Sequence, residues 1–178
     1  MISVFKKSLR RFRDNEEGSM VVPFALWTPV FLGLILSSIE LGTVTIRHTA
    51  MERALDETVR DLRLGNGPSV DHATLKAEVC RRAAVLPGCE DTLHLEMLSL
   101  DMRNWETPPL QADCVDVAEA VNPQRNFSFG SANELMFLRA CYKYKPITPA
   151  GTLSSSLPTD DEGYTALVAQ AAFVHEPL

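Results

Sequence analysis

The sequence predicts an α+β protein: a long N-terminal transmembrane helix, then a small periplasmic domain built from a short helix and an antiparallel sheet. Three observations predict it. Residues 20–39 form a run of twenty residues without a charge. A helical apolar pattern continues from that run to residue 64. Beyond it, short stretches of alternating apolar residues lie between turn signals, and all four cysteines fall there.

The apolar run reads MVVPFALWTPVFLGLILSSI. As a helix it covers ~30 Å, the thickness of a bilayer core. Lys6, Lys7, Arg10, Arg11 and Arg13 precede it, and a basic cluster holds its end in the cytoplasm. Arg47, Arg53 and Arg60 follow and weaken the asymmetry, so the cysteines decide the orientation. Two other readings compete. A cleaved secretory signal usually has a shorter apolar middle and an A-x-A site, which does not follow here. A buried core helix is seldom apolar on every face.

The run does not end in a turn. Ile46, Ala50, Ala54, Leu55, Val59 and Leu62 recur at three- and four-residue steps. Gly65-Asn66-Gly67-Pro68 then supplies a stop. One helix is therefore expected over residues 19–64, half in lipid and half out. Its outer half needs a cover for the apolar stripe, either the following domain or a neighbouring copy. Pro29 falls inside it and is expected to kink it. Glu40 sits at the far edge of the apolar run and has two readings. The first, which the position favours, is an interfacial carboxylate reaching water. The second is a lateral contact with a partner helix.

Residues 65–178 hold eight Lys or Arg against fifteen Asp or Glu, a balance of −7. Such a surface repels phosphate backbones and excludes nucleic acid as a partner. Cys80, Cys89, Cys114 and Cys141 make an even count in an exported region, which points to disulfides. Four cysteines allow three pairings. Cys80–Cys89 and Cys114–Cys141 are favoured because each brackets a turn-rich stretch. Free buried thiols are the alternative. No CxxC occurs, and His72 and His94 do not repeat at ligand spacing, so no metal site is expected.

Within the exported region, Ser69 or Asp71 can cap a short helix whose apolar side is Val70, Leu75, Val79, Ala83 and Leu86, ended by Pro87-Gly88. Leu93, Leu95 and Met97 alternate as in a half-buried strand. Pro108-Pro109 breaks the chain, and Cys114, Val115, Val117 and Ala118 suggest a second strand. Residues 122–133 read as loop. Residues 134–145 mix helical and strand signals; Tyr142 and Tyr144 favour strand. A loop over 147–163, mobile by composition or else a contact surface, leads to a last strand with Leu167, Ala169, Ala171 and Phe173 on one side. That gives about four strands.

Nothing points to catalysis. There is no G-x-S-x-G, H-E-x-x-H or Walker-type loop, and no cofactor is expected. Asp160-Asp161-Glu162-Gly163 lacks the alternate spacing of a calcium loop and reads as a solvated turn. Trp105 is a weak candidate for a partner contact.

Order and spacing at the N-terminus carry a resemblance. Arg11-Phe12, then Glu16-Glu17-Gly18, then Phe24-Ala25-Leu26-Trp27-Thr28-Pro29, then Glu40-Leu41-Gly42 follow one another as in the TadE-like family of tight-adherence (Flp-type) pilus assembly proteins, which are minor pseudopilins. The resemblance covers about the first 64 residues. It implies a basic cytoplasmic leader over 1–18, cut after Gly18 by a prepilin peptidase to leave Ser19 first. It implies the helix over 19–64, a periplasmic domain over 65–178, and a single-pass protein of the bacterial inner membrane. Its partners would be other pilus assembly subunits. Most pilins carry a glutamate five residues after the cut; here Pro23 stands there. Pro23, Pro29 and Glu40 are thus the candidate membrane and partner-helix contacts, and Pro23 suggests a tip or initiation subunit. The alternative function is a signal-anchored periplasmic binding or scaffolding module unrelated to pili.

Overall fold

The computed structural model describes residues 6, 10–14, 20–64, 71–117, 126–128, 130–131, 133–147, 153–174 and 176. One helix, α1 (Val21–Arg63), takes up 43 residues and is about 65 Å long. It runs unbroken through Pro29. Pro23 is the third residue of the helix, where a missing N–H has no intrahelical partner to lose. Arg60 and Arg63 close the last turn, where cations oppose the negative end of the helix dipole.

Two halves of α1 behave differently. Residues 21–39 bury no side chain against the rest of the chain. From Glu40 onward one face is covered: Glu40, Met51, Ala54, Leu55, Thr58, Val59 and Leu62 are buried. From Met51 on they recur at three- and four-residue steps, and Glu40 lies about three turns before Met51 on the same side, so they form one stripe. Burying Met51, Leu55, Val59 and Leu62 contributes roughly 1.5–3 kcal/mol each. The cover for the outer half is the following domain.

Helix α2 (His72–Arg82) is capped by Asp71, whose carboxylate accepts from the Thr74 N–H at 3.1 Å. Leu75, Val79 and Cys80 face the core. The helix stops at Arg82, earlier than Pro87-Gly88 suggests, because residues 83–88 turn instead. Leu86 N–H bonds Ala83 O there. Gly88 takes φ +63°, a left-handed conformation that favours glycine, and leads into the single turn α3 (Cys89–Thr92). The Cys80–Cys89 disulfide ties α2 to α3 with Cα atoms 5.6 Å apart.

Three antiparallel strands follow: β1 (Leu93–Leu100), β2 (Leu135–Tyr144) and β3 (Thr165–Val174), in that spatial order. The register pairs Leu95 with Ala140 and Ala140 with Ala169. One face therefore carries Leu93, Leu95 and Met97 from β1, Met136, Leu138, Ala140, Tyr142 and Tyr144 from β2, and Leu167, Ala169, Ala171 and Phe173 from β3. The buried members of this set form the core with the outer half of α1 and with α2. Strand readings at 134–145 and after residue 163 hold, including the side taken by Phe173.

The strand expected around Cys114 to Ala118 does not form among the described residues; 112–116 are irregular, and the described sheet has three strands. Backbone groups of this segment bond side chains of the sheet's second face instead of a neighbouring strand. Arg139 donates to Pro109 O at 2.7 Å and to Gln111 O at 2.9 Å, and Asp113 N–H donates to Glu96 at 3.0 Å. The Cys114–Cys141 disulfide fixes the segment to β2, with Cα atoms 5.3 Å apart. The result is a strap over residues 109–116 that covers the second face. It explains why β1 is buried on both sides, with His94 and Glu96 as inaccessible as Leu93 and Leu95. The free edge of β1 is also touched, by a short parallel bridge between Met97 and Phe127.

Candidate functional site

Two features of this fold face outward with chemistry to offer: the bare apolar half of α1, and the junction where the sheet meets it. The bare half presents Phe24, Leu26, Trp27, Phe31 and Leu34 to its surroundings, with Trp27 70 % exposed. It is the one helix among the described residues long and apolar enough to cross a membrane. Thr28 and Ser38 turn their hydroxyls back to the carbonyls of Phe24 and Leu34, which satisfies them without water.

At the junction, the Glu40 side chain is fully buried, at 0 % exposure. Both carboxylate oxygens accept from the Ile147 N–H, at 3.0 and 3.3 Å. Glu40 therefore does not reach water, which corrects the reading its position favours. It is bound within its own chain, to the segment leaving β2. Two turns further out, Arg47 lays its guanidinium over the Tyr144 ring at 4.8 Å. Tyr144 stacks on Tyr142 with centroids 6.1 Å apart, and Tyr142 donates its hydroxyl proton to Pro87 O at 2.8 Å. Burial pushes the Tyr144 hydroxyl upward, and the Glu40 charge adds to it. His48 reaches Val168 O of β3 at 3.2 Å. The helix and sheet are thus joined by polar contacts at the end next to the bare half of α1 and by apolar packing beyond it.

Further from the apolar run, Arg82 of α2 pairs with Asp61 of α1 and, at 2.6 Å, with Glu78. The Arg81 hydrogen bond first, then Arg82, hold the Glu78 carboxyl down at about 2. Arg63 and Glu176 meet at 3.4 Å at the distal end of α1.

On the second face of the sheet, Arg139 and Glu96 form a buried ion pair at 2.6 Å. Burial pushes the Glu96 carboxyl up, but the Arg139 and Asp113 hydrogen bonds prevail and lower it. His72 and His94 lie beside this pair with ring centroids 5.5 Å apart. His94 is 3.6 Å from Asp113. Burial, then the neighbouring His94, lowers the His72 pKa. Among the described residues no group of three His, Cys, Asp or Glu is placed to hold a metal. In the acidic turn, Asp160 is occupied by Lys143 at 2.9 Å and by the Tyr164 N–H at 2.7 Å, so it braces the entry to β3.

Of the residues singled out from the sequence, the four cysteines are joined as two disulfides in the favoured pairing. Pro23 and Pro29 are exposed on the bare half of α1. Gly18 and Ser19 lie outside the described residues. The strap contacts of Arg139 and Glu96 were not read from the sequence. The one available signal was charge at inward or alternating positions of otherwise apolar strands.

A bare apolar helix continuous with a small disulfide-bonded α+β head defines the class: a protein with one candidate membrane helix near its N-terminus and a head of extracytoplasmic character. Residues 18–60 match the family model described as TadE-like protein, and residues 61–178 lie outside that match. No curated protein and no solved structure matches the chain. The matched stretch contains the whole bare half of α1, Glu40 and Arg47, and it ends before the head begins its own elements.

Proposed function

We propose that this chain is a membrane-anchored, non-enzymatic subunit of a tight-adherence pilus assembly system. Residues 20–39 cross the inner membrane, residues 1–18 are the cytoplasmic leader, and the disulfide-bonded head stands in the periplasm. The observation that carries this reading is the TadE-like match falling on a helix whose matched apolar half is left uncovered by its own head. An uncovered surface of that kind exists to be covered by lipid or by neighbouring helices.

The prepilin peptidase is the expected processing partner, acting between Gly18 and Ser19. Other assembly subunits are the expected lateral partners, through the bare half of α1 that holds Pro23 and Pro29. Pro23 carries no carboxylate for a neighbour's amino terminus, which supports a tip or initiation place in the fibre over a repeated place in its shaft. Intact-mass analysis of the membrane-extracted protein tests the assignment. A chain starting at Ser19 supports it; a chain retaining residues 1–18 in cells with an active peptidase favours the plain scaffolding anchor. Immunogold labelling of sheared pili tests the tip position. Label confined to fibre ends is expected, and even label along shafts would defeat that part.

A further inference from the structure

We infer that the head rests on the membrane surface through Ile147, which makes a second, peripheral contact with the outer-leaflet headgroup layer. The inference rests on the reading of residues 20–39 as the membrane span. The geometry is set by Glu40. It is the first charged residue after the apolar run, so it marks the outer boundary of the hydrocarbon. Side chains on a helix lean toward its N-terminus, here toward the lipid. The Glu40 carboxylate therefore lies at or below the level of its own backbone, and the Ile147 N–H is 3.0 Å from it. That fixes the residue at the boundary.

The Ile147 side chain is 52 % exposed although it is large and apolar. Leu41, the residue after Glu40 in α1, is exposed as well. Both are apolar side chains left uncovered next to the Glu40–Ile147 contact. Lys145 is exposed just before, with its ammonium 4.7 Å from the Tyr164 ring. Asp161 and Glu162 are exposed in the turn that precedes Tyr164. Charges of both signs at this end leave no net attraction for anionic lipid, so the contact is apolar. It belongs at the level of the headgroups and does not depend on their charge.

The test uses the full chain in phosphatidylethanolamine vesicles, with and without phosphatidylglycerol. Single Ile147→Cys, Phe31→Cys and Leu110→Cys variants carry an environment-sensitive fluorophore, with intact mass confirming one label and two preserved disulfides. Nitroxide is placed on the lipid headgroup or near the acyl terminus. At position 147 the expected result is a blue-shifted emission quenched more strongly by the headgroup nitroxide, equally in both lipid compositions. Position 31 should show the reverse order of quenching, and position 110 neither shift nor quenching. If position 31 is deep while 147 reports water, the seat is overturned and the span stands. If 31 also reports water, the span falls and the seat with it. Shielding at 110 equal to that at 147 overturns a contact confined to Ile147, as does shielding at 147 that needs phosphatidylglycerol.

Discussion

Replacing Arg139 by alanine should cost the head about 3 kcal/mol of stability. Arg139 is 5 % exposed and Glu96 1 %. The guanidinium donates to Glu96 at 2.6 Å, to Pro109 O at 2.7 Å and to Gln111 O at 2.9 Å. Its removal leaves a carboxylate in the interior held by the Asp113 N–H, at 3.0 Å, and by the Asn126 side chain. Breaking one side of a buried pair costs roughly 3–5 kcal/mol, and the surviving hydrogen bonds put Arg139→Ala near the lower end. The assay is urea unfolding of the detergent-solubilised full chain, followed by near-ultraviolet circular dichroism. Two further readouts separate burial from simple truncation. A double variant, Arg139→Met with Glu96→Leu, should lose less than Arg139→Ala alone, because no charge is then stranded. The deficit of Arg139→Ala should also shrink in acid. In the parent, Glu96 has a lowered folded-state pKa. Its contribution is present above the unfolded value of about 4.3 and is lost as pH falls through the folded value. Without Arg139 the neutral acid is the cheaper form to bury, so acid relieves the variant. A loss below about 1 kcal/mol, unchanged with pH, would refute the reasoning, since that is how a hydrated surface pair behaves.

Four more outcomes are expected. Removing Cys114–Cys141, which spans 27 residues, should destabilise by about 1 kcal/mol more than removing Cys80–Cys89, which spans nine, because the longer loop frees more chain entropy; denaturant midpoints of the two double-serine variants check this. Gly88→Ala should cost about 1–2 kcal/mol, since φ there is +63° and a Cβ strains that conformation; thermal unfolding measures it. His72 has a lowered pKa, so its neutral form stabilises the head above the unfolded value of about 6.5 and that stability is lost as pH falls below it; His72→Gln should flatten the stability curve in that window. Glu40→Ala should remove the protection of the Ile147 amide in hydrogen exchange, whereas Glu40→Gln, which keeps an acceptor, should retain most of it.

Much of the fold was legible because it depends on local periodicity. The α1 pattern, the Asp71 cap, the alternation through Leu93, Leu95 and Met97, and the sidedness of Leu167 to Phe173 each follow from a period of 3.6 or 2. What escaped depends on contacts distant in sequence. Residues 113–118 alternate, yet Glu96 takes the Asp113 N–H and Arg139 the Gln111 carbonyl just before it, and no window around Cys114 contains that information. Glu40 was recognised as unusual for its depth, but its partner lies 107 residues away and is a backbone N–H, which leaves no trace in composition. The early end of α2 is similar: Cys89 must come back to Cys80, and the chain needs residues 83–88 to make that turn. The cysteine pairing was legible because each bond spans a short, turn-rich interval.

The unbroken course of α1 has a mechanical meaning. The rod that fills the sheet's core with Met51, Leu55, Val59 and Leu62 is the same rod that carries Trp27 and Phe31. No flexible tether intervenes to absorb load or rotation. A tug on the head is delivered straight down the rod's axis, and a lean of the rod swings the far end of the head like the tip of a lever. A version cut free after residue 64 would leave its own stuffing behind, so any water-soluble form of this head must keep the rod from about Val44 onward.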